Sequence, residues 1–205
     1  MSHYFINDND IKSNEKKNKV FINEQSFSFW TDNGVFSKKG LDFGTRTLLE
    51  SIPMKEIHGN VLDFGCGYGP IGITLAKQTD ANVDMLDINE RALNLTLKNI
   101  KENKVNANTI LSNLYDNINK KYDHIVSNPP IRVGKEILFK ILFGAKEHLK
   151  ENGKLWIVVN KNQGAKSLVK ELENEYKVEI ICKNKGFYII CAINNWHLVQ
   201  TLLKL

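Results

Sequence analysis

From Asn60 onward, short apolar runs alternate with helix-length amphipathic stretches, and this alternation constrains the fold more than any other feature of the chain. Residues 61–64, 83–86, 109–111, 124–127 and 155–159 read as strands. Residues 70–78, 90–102, 136–150 and 165–175 read as helices. A helix between two strands carries the second back parallel to the first, so successive pairs here cannot be simple hairpins. The exception is the end of the series. Residues 177–182 and 187–193 are joined only by Asn184, Lys185 and Gly186, which predicts an antiparallel hairpin on an otherwise parallel sheet. The expected fold is therefore α/β, a Rossmann-like doubly wound sheet of seven strands. Within it, Leu93, Leu97 and Ile100 are expected on one buried helix face. Ile137, Leu138, Ile141, Leu142, Ala145 and Leu149 are expected on another, followed by Gly153 as a helix C-cap region. Asp84 is expected at a solvated or edge position of its strand.

The first fifty residues have a different texture. Residues 20–22 and 26–30 read as two short strands around Asn23, Glu24 and Gln25, with Phe27 and Phe29 sharing a face. Gly34, Gly40 and Gly44 punctuate a loop, and a helix begins near Thr45. The expected organisation is an N-terminal extension over 1–50, a β-hairpin and loop packed on the core, and one catalytic domain over 51–205. A chain of 205 residues can bury one sizeable core. Its 42% hydrophobic and 25% charged content excludes a mostly disordered or collagen-like chain. No run of 18 apolar residues predicts a membrane span, and the polar N-terminus lacks a signal-type stretch, so a cytoplasmic protein is expected. Cys66, Cys182 and Cys191 are too scattered for a disulfide framework, and with the dispersed histidines they show no metal-ligand spacing. No metal is expected. Residues 196–205 read as a short amphipathic helix that packs on the body or on a second copy, which leaves monomer and homodimer both open.

Ligands of such sheets sit beyond the carboxyl ends of the strands. Three sequence features fall there. Asp63-Phe64-Gly65-Cys66-Gly67-Tyr68-Gly69 follows the first core strand. Its third glycine comes one position too early for a dinucleotide fingerprint, and Pro70 occupies the expected slot. A carboxylate at Asp63 repels a pyrophosphate but suits a cationic or amino-bearing ligand, which favours S-adenosyl-L-methionine over a nicotinamide cofactor. Asp87 ends the next strand, 22 positions after Gly65, placed to accept hydrogen bonds from ribose hydroxyls. Asn128-Pro129-Pro130-Ile131 follows the fourth strand. Two prolines remove two N–H groups and hold the Asn128 side chain and the Pro129 carbonyl rigidly. Two fixed acceptors can grip an exocyclic amine of a planar base and leave its lone pair pointing at an electrophilic methyl group.

Together these residues resemble class I S-adenosylmethionine-dependent methyltransferases. More narrowly the chain is similar to the small methyltransferase domain of bacterial ribosomal RNA guanine-N2 methyltransferases. Gly34-Val35-Phe36-Ser37, Leu41-Asp42-Phe43-Gly44-Thr45-Arg46 and Lys161-Asn162-Gln163-Gly164-Ala165 carry the more specific likeness. The resemblance implies that Asp63, Gly65, Cys66, Gly67 and Gly69 cradle the methionine part of the cofactor. It implies that Asp87, with Ile88, takes the ribose and that Asn113 stands where an Asp usually contacts adenine. Asn128, Pro129 and Pro130 then form the catalytic loop, with Asn128 also beside the cofactor. Many relatives have Tyr or Phe after Asn-Pro-Pro; Ile131 offers only an apolar contact, so Phe36, Trp30 or Phe43 is a candidate stacking ring. The long enzymes carry a second domain before the catalytic one, whereas this chain has room for a short extension.

The formal charge is +5, with only Arg46, Arg91 and Arg132 as arginines against 25 lysines. Arg46 and Arg132 are expected to face RNA, as planar cations that lysine cannot imitate, and Arg91 to make a helix-surface ion pair. Cys66 and His124 are expected to be structural. Residues 1–50 carry net charge 0, residues 51–130 carry −1 and residues 131–205 carry +6. The excess begins after the catalytic loop, which points to a ribosomal RNA or small-subunit partner across the C-terminal half. The expected reaction is methylation of an exocyclic amine in ribosomal RNA, with guanine N2 of 16S rRNA favoured. Adenine N6, a protein glutamine amide and a non-catalytic RNA- or cofactor-binding protein remain open.

Overall fold

The hairpin of β1 (Lys16–Ile22) and β2 (Gln25–Thr31) stands apart from a second, seven-stranded sheet in the computed structural model, which describes residues 12–38 and 40–195. The large sheet comprises β3 (Asn60–Phe64), β4 (Asn82–Asp87), β5 (Asn108–Leu111), β6 (Tyr122–Ser127), β7 (Leu149–Asn160), β8 (Lys177–Asn184) and β9 (Phe187–Ile193). Their spatial order is β5-β4-β3-β6-β7-β9-β8. β5 through β7 are parallel, and β9 runs antiparallel to both β7 and β8. The helices are α1 (Phe43–Ser51), α2 (Pro70–Gln78), α3 (Glu90–Asn103), α4 (Lys135–His148) and α5 (Ala165–Leu172). The expected doubly wound sheet with a C-terminal antiparallel hairpin is the observed one.

Strand side chains alternate between two apolar cores. Val61, Met85, Val126, Trp156 and Ile189 pack with α1, α2, α3 and the hairpin. Their neighbours Leu62, Leu86, Ile125, Ile157 and Ile190 pack with α4 and α5. The order in which strands are added reverses between β3 and β6, which lie side by side and parallel, so the loops after these two strands open next to each other. Ser127 Oγ donates to the Phe64 carbonyl at 2.8 Å, tying the two strand ends together.

The hairpin is joined to the body by side-chain amides. Asn99 and Asn103 are buried on α3, one turn apart. The Trp30 N–H donates to Asn99 Oδ1 at 2.7 Å, and Asn99 Nδ2 donates to the Trp30 carbonyl at 2.9 Å. Asn103 treats Ser28 the same way, at 3.0 and 2.8 Å. Four helical residues rise about 6 Å and two strand residues about 6.8 Å. Amides at i and i+4 of a helix can therefore pair with alternate residues on the free edge of β2. Asn99 Nδ2 also donates to the Tyr68 carbonyl at 2.8 Å, so the same residue holds the glycine loop.

That arrangement corrects one expectation. Leu97 is 44% exposed, and the buried stripe of α3 runs through Ala92, Thr96, Asn99 and Asn103 beside Leu93 and Ile100. Asparagines displace a leucine from the inner face because β2 presents unpaired backbone groups there. Ile137 is likewise 37% exposed. Leu149 opens β7 rather than closing a helix, and Gly153 lies within β7. There Asn152 takes φ 59°, and a Cβ at Gly153 would come 2.9 Å from the Lys150 carbonyl, so the glycine serves a kink in the strand. Asp84 is buried: it accepts from Tyr122 Oη at 2.8 Å and Asn108 Nδ2 at 3.0 Å and pairs with Lys120 at 2.7 Å. The first hairpin turns on Asn23 and Glu24 alone, both at positive φ, with Gln25 already in β2. The helix expected over 196–205 lies outside the described residues.

Asn99→Ala is expected to lower stability by about 2–4 kcal/mol, because backbone groups of Trp30 and Tyr68 lose their partner in a buried place. Leu97→Ala is expected to cost under about 1 kcal/mol. Urea unfolding of both variants with a common slope checks the contrast; equal losses would return Leu97 to the core.

Candidate active site

The loop after β3 is closed by the end of β4. The Leu86 carbonyl accepts from the N–H of Gly65 at 2.8 Å and of Cys66 at 2.9 Å. Asp87 Oδ2 accepts from the Gly67 N–H at 2.8 Å, and the Gly69 N–H returns to the Cys66 carbonyl at 2.9 Å. Asp87 Oδ1 takes the Asn89 N–H at 2.9 Å, next to the start of α3. Gly65 and Gly67 sit at φ 71° and 59°, and a Cβ on either would meet nothing within 4 Å. The loop thus shows an open surface to its outer side. Its amides are largely consumed internally, so it cannot cradle a pyrophosphate as a dinucleotide loop does. The half-buried Asp87 makes the same place acidic, with its carboxyl raised by burial against the pull of the Asn89, Gly67 and Ile88 N–H groups.

Asp63 lies beneath this surface. It is fully buried, Oδ2 accepts from the Gly72 N–H at 2.8 Å, and Oδ1 has no partner. Burial pushes its carboxyl up to about 7, the Gly72 N–H opposing and the charge of Asp87 adding. Its side chain joins the loop to α2 from below, with one oxygen in reserve. Cys66 also points inward. Its Sγ lies 3.8 Å from Thr96 Oγ1, and burial drives the thiol well above its usual range, so it is inert. Thr96 Oγ1 meanwhile donates to the Gly67 carbonyl at 2.8 Å.

Across the seam, Asn128 is half-buried and tethered by its amide nitrogen. Nδ2 donates to Thr45 Oγ1 at 2.9 Å and to Asp42 Oδ1 at 3.5 Å. Asp42 Oδ1 also caps α1 by accepting the Thr45 N–H at 3.0 Å. A carboxylate can only accept, so the atom of Asn128 that faces it is the NH2 group. Oδ1 is left as the atom that can receive a donor from elsewhere. The hydroxyl of Tyr68 is buried without a partner, and it is raised by burial and by the neighbouring charge of Asp42. Pro129 is buried and Pro130 half-buried, and Ile131 starts a 3-10 turn, Ile131–Val133. Asp42 and Thr45 carry part of the family likeness, and their spacing carries a second signal. An Asp three residues before a Thr at a helix start is a capping signal, and it was the available clue.

The remaining candidates divide. Asn113 is exposed after β5, with Nδ2 3.3 Å from Asp116 Oδ2, at the same sheet end as the glycine loop. Ile88 is half-exposed beside Asp87. Phe36 is 44% exposed in the loop before α1. Arg46 Nη1 donates to the Phe21 carbonyl at 2.7 Å and pairs with Glu50 at 3.2 Å, which ties α1 to the hairpin. Arg91 Nη1 reaches the Asn33 carbonyl at 3.2 Å; against burial, which raises it, Asp32 is held below the usual carboxylate range by hydrogen bonds from Asn14, Ser13 and Asn33 and, last, by the Arg91 charge. Trp30 is no free ring either; its Nε1 bonds Glu102 and Lys98 lies 3.7 Å over its face. Phe43 packs 5.7 Å from Phe187 with Lys185 at 5.1 Å. The side chain of Arg132 lies outside the described residues. His124 is structural as expected, accepting from Trp156 Nε1 at 3.2 Å and pushed down to about 4 by burial.

Among the described residues no helix is long and apolar enough to cross a membrane. The family model described as methyltransferase small domain matches residues 26–191. The uncharacterized protein YbxB of Bacillus subtilis is 42% identical over 195 residues, which cover 93% of this chain and 97% of that protein. Ribosomal RNA small subunit methyltransferase C of Haemophilus influenzae is 36% identical over 159 residues, covering 75% of this chain. The chain spans only 48% of that relative's length. Among solved structures, the T. thermophilus 16S rRNA N2 G1207 methyltransferase (RsmC) in complex with AdoMet and guanosine superposes with a TM-score of 0.80. It is 22% identical, and the match covers 90% of this chain and 52% of that one. A ribosomal protein L11 methylase from Lactobacillus delbrueckii subsp. bulgaricus superposes at 0.66 and 20% identity, covering 76% and 80%. Likeness at these identities speaks for the fold.

Asp63 generates a pH prediction. Its folded value lies above the value of about 4 expected unfolded, so the folded form holds the extra proton between them. Stability from this group is full below about 4 and is lost as pH rises through about 7. Asp63→Asn is therefore expected to gain melting temperature relative to the parent as pH rises from 5 to 8. A difference that stays flat across that window would refute the buried-acid assignment.

Proposed function

The chain belongs to the methyltransferase small domain family, and from that premise we propose that it moves a methyl group from S-adenosylmethionine to an exocyclic amine of a base in ribosomal RNA, guanine N2 of 16S rRNA in particular. One observation carries the reading. Asn128 is held by Asp42 and Thr45 so that Oδ1 is its remaining acceptor, at a strand end beside an open, acidic glycine loop. Methyltransferase C relatives at 36% identity support ribosomal RNA as the acceptor.

The residues present fit the cofactor. Its sulfonium and amino groups are cationic, and the loop offers open backbone at Gly65 and Gly67 over Asp63 and Asp87. In the proposed assignment Gly65, Gly67 and Gly69 shape the methionine side through backbone, and Cys66 contributes main chain only. Asp87 and Ile88 meet the ribose, and Asn113 meets the adenine edge. Bound cofactor supplies an electrophilic methyl group. The protein's work is positioning and electrostatics. Asn128 Oδ1 and the Pro129 carbonyl each accept one N–H of the target amine, and Pro130 holds the loop in place. With both hydrogens engaged, the nitrogen lone pair projects away from the two acceptors. Phe36, Ile131 and Arg132 are proposed to border the base.

The same grip suits adenine N6 or a glutamine amide, and the L11 methylase fold at 0.66 keeps the protein substrate as a second reading. Purified protein incubated with labelled cofactor and either naked rRNA, small subunits or total protein separates them by the mass of the product. Label in N2-methylguanosine is expected; label in protein alone would overturn the assignment, and none anywhere would leave a binding protein. Asn128→Ala is expected to lower kcat at least ~100-fold with cofactor affinity nearly unchanged. Thr45→Val is expected to lower kcat about tenfold, because Nδ2 loses its closer acceptor and Oδ1 is less firmly aimed. Thr45→Ser should restore it, a rescue that a purely packing role for Thr45 would not give.

A further inference from the structure

We propose that the rim formed by the end of β7 and the β8–β9 turn is a docking track for the phosphate backbone of the acceptor RNA. The proposal rests on RNA being the acceptor. β7 runs parallel to β6, so it ends on the rim that holds Asn128. β9 returns antiparallel and β8 is antiparallel to β9, so β8 also ends on that rim. Lys161 follows β7, Lys183 stands near the end of β8, Lys185 is in the turn, and Lys166 is in the first turn of α5. All four are exposed, and none is in a salt bridge among the described residues.

Lys161 and Lys185 tie this rim to the catalytic loop. The Lys161 N–H donates to the Gly186 carbonyl at 2.7 Å. A Cβ placed on Gly186 would come 3.3 Å from Lys161 Cε, so the lysine stem lies across the turn. The Lys185 ammonium stands 5.1 Å from the Phe43 ring centroid, and Phe43 directly follows Asp42, which holds Asn128. The track therefore abuts the residue proposed to grip the amine.

Three lysines at the opposite end of the sheet are matched by acids, while Lys55 and Lys121 there are in no salt bridge among the described residues. Lys154 pairs with Glu56, Lys150 with Asp123 and Lys120 with Asp84, at 2.7–2.8 Å. Lys135, at the start of α4, pairs with Glu171. On the track itself the sequence supplies no partner: no Asp or Glu occurs from Asn152 to Lys170, nor after Glu179. Like charges gathered without counter-charges repel one another, and a polyanion relieves that cost. Lysines are point charges that suit phosphate oxygens rather than base edges, so this surface fixes where the RNA lies and leaves the choice of base to the Asn128 loop.

Lys161→Glu/Lys183→Glu/Lys185→Glu is to be compared with Lys55→Glu/Lys101→Glu/Lys121→Glu, an equal charge change far from the rim. Methyl transfer to rRNA is measured from 50 to 300 mM salt, with cofactor binding measured alongside. The rim variant is expected to raise KM for rRNA at least ~10-fold and to flatten the log–log salt slope by about 2, from three lost phosphate contacts. Cofactor affinity should hold, and the Ala triple should fall between parent and Glu triple. If the parent methylates rRNA but the rim and control variants share one KM and one slope, the track is refuted and the RNA reading stands. If the parent labels only protein, the RNA reading falls; rim-dependent KM for that protein would make the surface a site for an acidic polypeptide instead.

Discussion

The site depends on how the last residues of β4 receive the loop that follows β3. The Leu86 carbonyl takes two of the loop's N–H groups and the Asp87 carboxylate takes a third. These bonds hold the loop across the neighbouring strand. They also decide its chemistry. A glycine loop with free amides at a helix N-terminus attracts phosphate. Here the amides are spent and a carboxylate replaces them, so the same backbone trace presents partial negative charge. Asp63 lies below, where burial raises its carboxyl to about 7, so it adds negative charge as pH rises through that value. A cationic ligand is the natural complement of such a loop.

A second pairing gives the site its other wall. Asp42 caps α1 and meets the NH2 group of Asn128 with one oxygen, Oδ1. The orientation of the amide is thereby tied to the start of a helix far away in sequence. An amide left free could present either its donor or its acceptor, and only the acceptor suits an incoming amine. Tyr68 connects the two walls: it belongs to the glycine loop, and its buried hydroxyl feels the charge of Asp42. The loops that meet at the β3–β6 seam are thus coupled through α1.

The strand ends were legible in the sequence because the residues that matter there break local expectation. Glycines between an apolar strand and a helix, an acid where a strand stops and two prolines after another strand stand out from the apolar periodicity around them. What was illegible is what packs polar groups inward. Leu97 fits the helical period of α3, yet Asn99 and Asn103 take the inner face because the free edge of β2 needs amide partners. Asp84 looked solvated by its type, yet Tyr122, Asn108 and Lys120 satisfy it inside. Arg46 Nη1 takes the Phe21 carbonyl and Glu50, a tie between α1 and the hairpin that the residue type does not announce. In each case a partner distant in sequence overrides the local pattern, and a local reading has no access to that partner.

The charge distribution follows from the same geometry. The donor proposed here is cationic and the acceptor polyanionic, so one site must attract both. A uniform field would favour one and repel the other. In the proposed site they are separated along the sheet: acids lie under the β3 and β4 ends, and lysines without a salt bridge among the described residues line the β7 and β8 ends. The Asn128 loop ends β6, between β3 and β7 in the sheet order, where the two fields meet. Physiological salt screens exposed charges over about 8 Å, so each ligand feels chiefly the pole it touches. An uncharged gripping group suits that boundary. Asn128 and the Pro129 carbonyl can hold a neutral amine there by geometry, without favouring either pole.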